Sequence, residues 1–206
     1  MTTRSLQRSA LAAVVLAMLS EEPMHAYRMH ELIKRRGKDS VVNVAQRNSV
    51  YQTIARLLRM QLIRVHAELQ EPGRPERVVY EITDEGRVTL AAWLKDMLAI
   101  PLQEYPEFPA ALALLPVLAP KEVLSALKSR ATTLQASLDR AETTAREMQA
   151  LHLPRLFLIE DEYKQAMLKA ELAWLQAVVA DLGSKALDWN ARWLKKVASD
   201  FEAGSP

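Results

Sequence analysis

A segment between residues 47 and 60 carries amide, hydroxyl and guanidinium side chains at intervals of one, three and four residues. At about 100° per residue, these side chains share one side of a helix. The same groups hydrogen-bond to base edges and phosphates, so this side is a candidate surface for reading nucleic acid. We define this polar face by Asn48, Ser49, Gln52, Arg56 and Arg59.

The other side of the segment is aliphatic, which predicts a helix packed on a core. Its apolar residues repeat at helical spacing, over a helix predicted from about Arg47 to Met60. A helix with one aliphatic stripe and one side of hydrogen-bonding groups suits insertion into a DNA groove. The aliphatic residues are Val50, Ile54, Leu57 and Leu58.

Two further helices are predicted upstream. The first runs from about Ser5 to Leu19, and its ten apolar residues are too few for a bilayer, which needs roughly 20. Ser20 is predicted to cap the second helix, which stops at Gly37. A very short strand is predicted at Val41 and Val42.

A hairpin and a fourth helix are predicted downstream. Ile63, Val65 and Ala67 alternate with polar residues, and Val78, Tyr80 and Ile82 alternate on the return strand. The intervening turn contains Pro and Gly and bears arginines. Thr83 is predicted to cap a helix from about Asp84 to Leu98. Helix, hairpin and helix in this order predict a winged helix-turn-helix, with a helix in the major groove and a basic loop beside it.

Composition and charge agree with a mainly helical protein that has a nucleic-acid partner. Half of the 206 residues are hydrophobic, and only five are Gly. Residues 1–100 carry 15 Lys and Arg against 11 Asp and Glu, a net of +4, whereas residues 101–206 carry 12 against 14, a net of −2. The first half is therefore the better candidate for a polyanion partner.

The second half is predicted to be a helical dimerisation domain. Pro101, Pro106 and Pro109 mark a linker, which divides the chain into residues 1–100 and 101–206. One long helix runs from Pro120 to about Leu151, and another begins at Pro154 and is broken by Gly183. Two such amphipathic helices expose apolar surface that a second copy would cover. The second helix carries a stripe of Leu156, Ile159, Tyr163, Met167, Ala170, Trp174 and Val178.

Two runs resemble the PadR family of transcriptional regulators: NSVYQTIARLLRMQLI and GRPERVVYEITDEGRVTLAAWL. The resemblance extends over about residues 8–183, with the order and spacing of the motifs as its strongest part. It departs at Ala26 and Gln61, where the family often has Gly. The resemblance implies a homodimeric repressor that binds operator DNA and responds to a small ligand. The absence of Cys fits a cytoplasmic protein, and no cofactor is expected.

Carried over by position, the resemblance implies two sets of binding residues. Asn48 and Gln52 suit adenine and Arg56 suits guanine, whereas the wing arginines suit phosphate or the minor groove. The implied DNA contacts are Arg47, Asn48, Ser49, Tyr51, Gln52, Arg56, Arg74 and Arg77. A small planar apolar effector would stack on aromatic side chains of the helical half, unless these only pack in its core. Those candidates are Trp174, Trp189 and Trp193.

Other classes of function find little support in the sequence. There is no Cys, and the four His lack the spacing of a metal site, so no metal is expected. No nucleophile, phosphate-loop or dinucleotide motif occurs, so we expect no enzyme, and no membrane partner is expected. Two alternatives stay open: a winged-helix adaptor that binds protein and does not read DNA, and a DNA-binding regulator that responds to no effector.

Overall fold

The structure is a computed structural model that describes residues 8–44, 47–69 and 77–204. The chain divides into an N-terminal unit, Met1–Gln103, and a C-terminal unit, Glu104–Pro206. Each unit has its own apolar core. No helix in the described ranges is both long enough and apolar enough to cross a membrane.

The N-terminal unit combines four helices with a small sheet. Its helices are α1 (Ala10–Glu21), α2 (Ala26–Arg35), α3 (Arg47–Arg59) and α4 (Asp84–Ala99). Its strands are β1 (Met24–His25), β2 (Ile63–Leu69) and β3 (Arg77–Ile82). The strands are antiparallel in the order β1-β3-β2, with Val65 opposite Tyr80 and a one-residue shift at His66. The mainly helical winged fold predicted from the sequence is confirmed.

Two predictions about the segment between α1 and α3 are wrong. Ser20 does not cap α2: it lies inside α1, where its hydroxyl donates to the Ala17 carbonyl at 2.6 Å. The residue before Pro23 is restricted to extended backbone, so the next helix starts later and His25 caps it. Val41 and Val42 form no strand but follow a 3-10 turn, Lys38–Ser40, and Val42 is apolar because it enters the core.

The N-terminal core holds α3 through its aliphatic side. Val50 and Leu57 are 0% exposed and Ile54 is 2% exposed. They join residues of α1 and α2 in one cluster. Burying one such side chain contributes roughly 1.5–3 kcal/mol, so α3 cannot rotate about its axis without losing several of these contributions.

A tight joint connects the end of α3, the sheet and the start of α4. Thr83 caps α4 as predicted, because its Oγ1 accepts from the Gly86 N–H at 3.0 Å. The same hydroxyl donates to the Gln61 carbonyl at 2.9 Å, and the Thr83 N–H donates to the Leu62 carbonyl at 3.1 Å. Gln61, which stands where relatives often have Gly, has a φ of 58° and so adopts the left-handed backbone that Gly favours.

The C-terminal unit is helical throughout its ordered elements. Its helices are α5 (Glu107–Ala113), α6 (Pro120–Ala150), α7 (Ile159–Ser184) and α8 (Ala191–Ala203). The expectation that Gly183 breaks the second long helix is wrong: α7 continues to Ser184, and the left-handed backbone falls on Lys185, with a φ of 64°. Pro154 likewise precedes a 3-10 turn, Arg155–Phe157, instead of starting α7 itself.

The two long helices pack against each other through leucines. Leu127 and Leu138 of α6 are buried, as are Leu172, Leu175 and Leu182 of α7. On α6, Leu127, Ala131, Leu134 and Leu138 alternate at spacings of four and three residues, the period of a coiled-coil seam, and this side faces inward. The stripe predicted for α7 is a different one, which lies mostly exposed beside the leucines.

Substituting Gly86 with alanine is expected to destabilise the N-terminal unit by roughly 3 kcal/mol. The added Cβ would collide with the Leu62 carbonyl oxygen and lie 2.8 Å from Ile82 Cγ1. Gly183→Ala is the matched control, because nothing lies within 4 Å of its Cβ position. That variant should be neutral or more stable by up to about 1 kcal/mol. Urea unfolding of both variants measures the difference, and equal midpoints would refute the close packing.

Candidate nucleic-acid interface

The polar face of α3 lies at the surface of the N-terminal unit. Asn48, Gln52 and Arg59 are exposed, and Ser49 is half-buried. Tyr51 is also exposed, at the edge of this face, and lies near Tyr80 of the sheet. Amide and guanidinium groups on an exposed helix can reach base edges and phosphates of a duplex without rearrangement of the core.

Arg56 is placed differently from the other members of the polar face. Its side chain is half-buried, and its Nη2 donates to the Ser9 hydroxyl at 2.7 Å. Ser9 also caps α1 by accepting from the Ala12 N–H at 3.2 Å. The Nε of Arg56 is buried, with no hydrogen-bond partner in the described structure. Arg56 therefore joins α3 to the first residues of α1, an arrangement that the helical wheel alone does not reveal.

An open cavity of about 440 Å³ lies beside Arg56. It is lined by polar residues of α3, by the start of α1 and by the segment that precedes α3. Ser9 and Asn43 belong to it although they are far from α3 in sequence, so no periodic pattern indicates them. The described lining consists of Ser9, Leu11, Asn43, Ser49, Gln52, Thr53, Arg56 and Arg59.

The wing carries an ion-pair cluster on its two strands. The Arg64 Nε donates to Glu81 Oε1 at 2.6 Å, and His66 Nδ1 lies 2.9 Å from Glu81 Oε2. The hydrogen bond from Arg64 lowers the pKa of the Glu81 carboxyl group below its ordinary 4.5, and His66 lowers it further. These contacts join the start of β2 to the end of β3.

Three predicted DNA contacts have side chains outside the described structure. Arg74 lies in residues 70–76, which the structure does not describe. Arg77 starts β3 opposite Leu69, and Arg47 starts α3. Their backbones place both at the ends of elements that border the candidate surface, and their DNA contacts remain a prediction.

The three tryptophans proposed for an effector have different neighbours. Trp174 meets Phe108 edge-on, with ring centres 6.2 Å apart, and the Arg130 guanidinium lies 3.6 Å from the Phe108 ring centre. The Trp189 indole N–H donates to the Leu118 carbonyl at 3.0 Å, which anchors the chain after α7. Trp193 is half exposed on α8. Effector binding by these residues remains a prediction.

The sequence of the N-terminal unit matches a known family. Residues 15–92 fit the family described as "Transcriptional regulator PadR-like family". The N-terminal unit is a PadR-like domain. The resemblance found in the sequence is thereby confirmed for residues 15–92. No curated protein matches the chain.

Several solved structures share the fold of this chain. Bacillus subtilis PadR in complex with operator DNA has a TM-score of 0.68 at 17% identity, over 84% of this chain and 99% of that one. The same protein in complex with p-coumaric acid also has a TM-score of 0.68 at 17% identity, over 85% of this chain and 99% of that one. The Vibrio cholerae virulence activator AphA has a TM-score of 0.65 at 18% identity, over 85% of this chain and 99% of that one. At identities this low, the structural similarity shows a common fold and no more.

Removing the Arg64 guanidinium is expected to raise the pKa of Glu81 toward 4.5, because its hydrogen bond is the main cause of the lowering. Charged Glu81 therefore stabilises the wing at pH above 4.5, and this contribution is lost as the pH falls through the lowered pKa. Carboxyl NMR titration of Arg64→Ala measures the shift. His66→Ala should move the midpoint less. An unchanged midpoint in the Arg64 variant would contradict the geometry.

Proposed function

We propose that this PadR-like protein is a transcriptional repressor that binds a two-fold operator as a homodimer and leaves it when a small planar aromatic effector binds. The observation that carries the proposal is the exposed polar face of α3, which the buried aliphatic side holds outward. A DNA major groove, about 12 Å wide, accepts such a helix. The complex of Bacillus subtilis PadR with operator DNA supports the same use of the fold.

Within this proposal some residues of the interface contact bases and others contact the DNA backbone. Gln52 and Asn48 are exposed amides, which suit bidentate contacts to adenine. The wing arginines, Arg74 and Arg77, contact phosphates or the minor groove and so add affinity with little choice of sequence. Ser49 and Tyr51 border the amides and suit phosphate oxygens.

Dimerisation is supported by a second apolar stripe on α7. The leucines of α7 face α6, but Ile159, Tyr163, Met167 and Trp174 are 57%, 68%, 52% and 44% exposed. They repeat at intervals of four or seven residues along about 22 Å of helix, at 1.5 Å rise per residue. A long apolar stripe left in solvent marks an interaction surface. A two-fold dimer would cover it and bring two α3 helices to one palindromic site.

Release by an effector is supported by aromatic and cationic groups in the C-terminal unit. Trp174 packs on Phe108, and Arg130 covers that ring while pairing with Glu171 at 2.6 Å. Such groups suit a planar ring with an acidic substituent. The p-coumaric acid complex of Bacillus subtilis PadR shows that one relative binds such a molecule. An effector that binds one spacing of the dimer more tightly would shift the population away from the DNA-bound state.

The first test selects DNA from a random pool with the full chain and compares Gln52→Ala with the parent protein. The variant should bind the selected duplex roughly 5- to 100-fold more weakly, because it loses a base contact worth about 1–3 kcal/mol. Gln176→Ala, an exposed glutamine on α7, is the matched control and should bind normally. Binding should also weaken steeply with salt. A protein that enriches no sequence would instead favour the adaptor.

The dimer is tested by placing a charge on the exposed stripe of α7. Met167→Glu should weaken dimerisation roughly 30-fold or more, about 2 kcal/mol, because the carboxylate would be buried without a partner. Gln176→Glu adds the same charge on nearly the opposite side of α7 and should leave the dimer intact. Analytical ultracentrifugation measures both. Equal dimer stability in the two variants, or a monomeric parent protein, would refute this interface.

A further inference from the structure

Arg56 lines the polar cavity and is half-buried, whereas Gln52 and Arg59 beside it are exposed. Its Nη2 reaches the Ser9 hydroxyl at 2.7 Å, and Ser9 is itself held by its cap bond to the Ala12 N–H. The bond to Ser9 and the burial of Nε limit how this guanidinium can turn toward a base edge. The structure therefore disfavours the guanine contact that the sequence suggests for Arg56.

The described surroundings of Arg56 contain no negatively charged acceptor. The Nε is buried without a hydrogen-bond partner, although a charged guanidinium offers five N–H donors. The described lining of the cavity includes Arg59, one turn further along α3, and contains no carboxylate. The first turn of α1 also contains no acidic residue. Two cations and an unsatisfied donor around a cavity of about 440 Å³ call for an anion.

We infer that this cavity is an anion subsite that takes one backbone phosphate of the bound duplex, with Arg56 and Arg59 as its cationic ligands. Arg56 then contributes affinity and register, and the exposed amides choose the sequence. The inference rests on the proposed function, because it assigns a role within the same DNA complex. A phosphate fits better than a base, since it brings the negative charge that the described lining of the cavity lacks.

The experiment compares Arg56→Ala with Gln52→Ala on the selected duplex and on a scrambled duplex of the same length. Arg56→Ala should weaken both complexes by the same factor, roughly 10- to 100-fold, and leave their ratio unchanged. The slope of log K against log salt should become smaller by about 0.9, the value for one lost phosphate contact. Gln52→Ala should instead reduce the ratio and keep the slope. A changed ratio for Arg56→Ala would make it a base reader and overturn the inference.

A second arm changes the DNA one phosphate at a time. Duplexes with one phosphate at a time replaced by neutral methylphosphonate are bound to the parent protein and to Arg56→Ala. In each half-site, methylphosphonate at one position should weaken binding by the parent protein. The same substitution should have little further effect on binding by Arg56→Ala. Independent effects at every position would overturn the subsite. A parent protein that selects no DNA defeats the proposed function, whereas binding without this coupling defeats only the subsite.

Two controls separate charge from stability. Arg56→Lys keeps one positive charge and should retain more affinity than Arg56→Ala, with the same ratio between duplexes. Ser9→Ala removes the hydroxyl that holds the guanidinium. It should weaken binding to both duplexes, but less than Arg56→Ala does. Thermal unfolding is measured for each variant. Equal affinity loss in Arg56→Lys and Arg56→Ala, at parent stability, would show that charge is not what the site supplies.

Discussion

The burial of one side of α3 is the constraint on which the interface depends. Val50 and Leu57 are wholly inside the N-terminal core and Ile54 nearly so, which fixes the rotation of the helix. Because positions four residues apart share a side of a helix, the amides of Asn48 and Gln52 must then face solvent. The wing, the joint at Thr83 and the cavity beside Arg56 are all placed relative to this fixed helix.

Much of this unit can be predicted from periodicity, and each failure has a physical cause. The helical repeat predicts α3, and the alternation of two strands predicts the wing. The strand β1 is only two residues long, so no repeat exists to indicate it. Ser20 is a good cap by type, but the backbone restriction before Pro23 moves the start of α2 to His25. Helical periodicity predicts that Arg56 faces solvent. It does not reveal the contact with Ser9, because that residue lies 47 positions away in the sequence.

In the C-terminal unit the sequence presents two apolar stripes on one helix. Periodicity finds the stripe through Tyr163 and Met167 but does not say which stripe packs inside the chain. The leucines take that place, because Leu175 and Leu182 are matched by the leucines of α6. What remains in solvent is the stripe that needs a partner. Gly183 shows a similar limit, because a single glycine in the last turn of a helix costs only about 1 kcal/mol and need not end it.

The central claim is that two copies of α3 read the two halves of one palindromic site. Hydroxyl-radical footprinting of the full chain on a selected duplex tests it most directly. The account predicts two protected half-sites, related by a two-fold axis, with centres about 10–10.5 base pairs apart or a multiple of that spacing. A single unsymmetrical footprint, or protection spread evenly along the duplex, would contradict it.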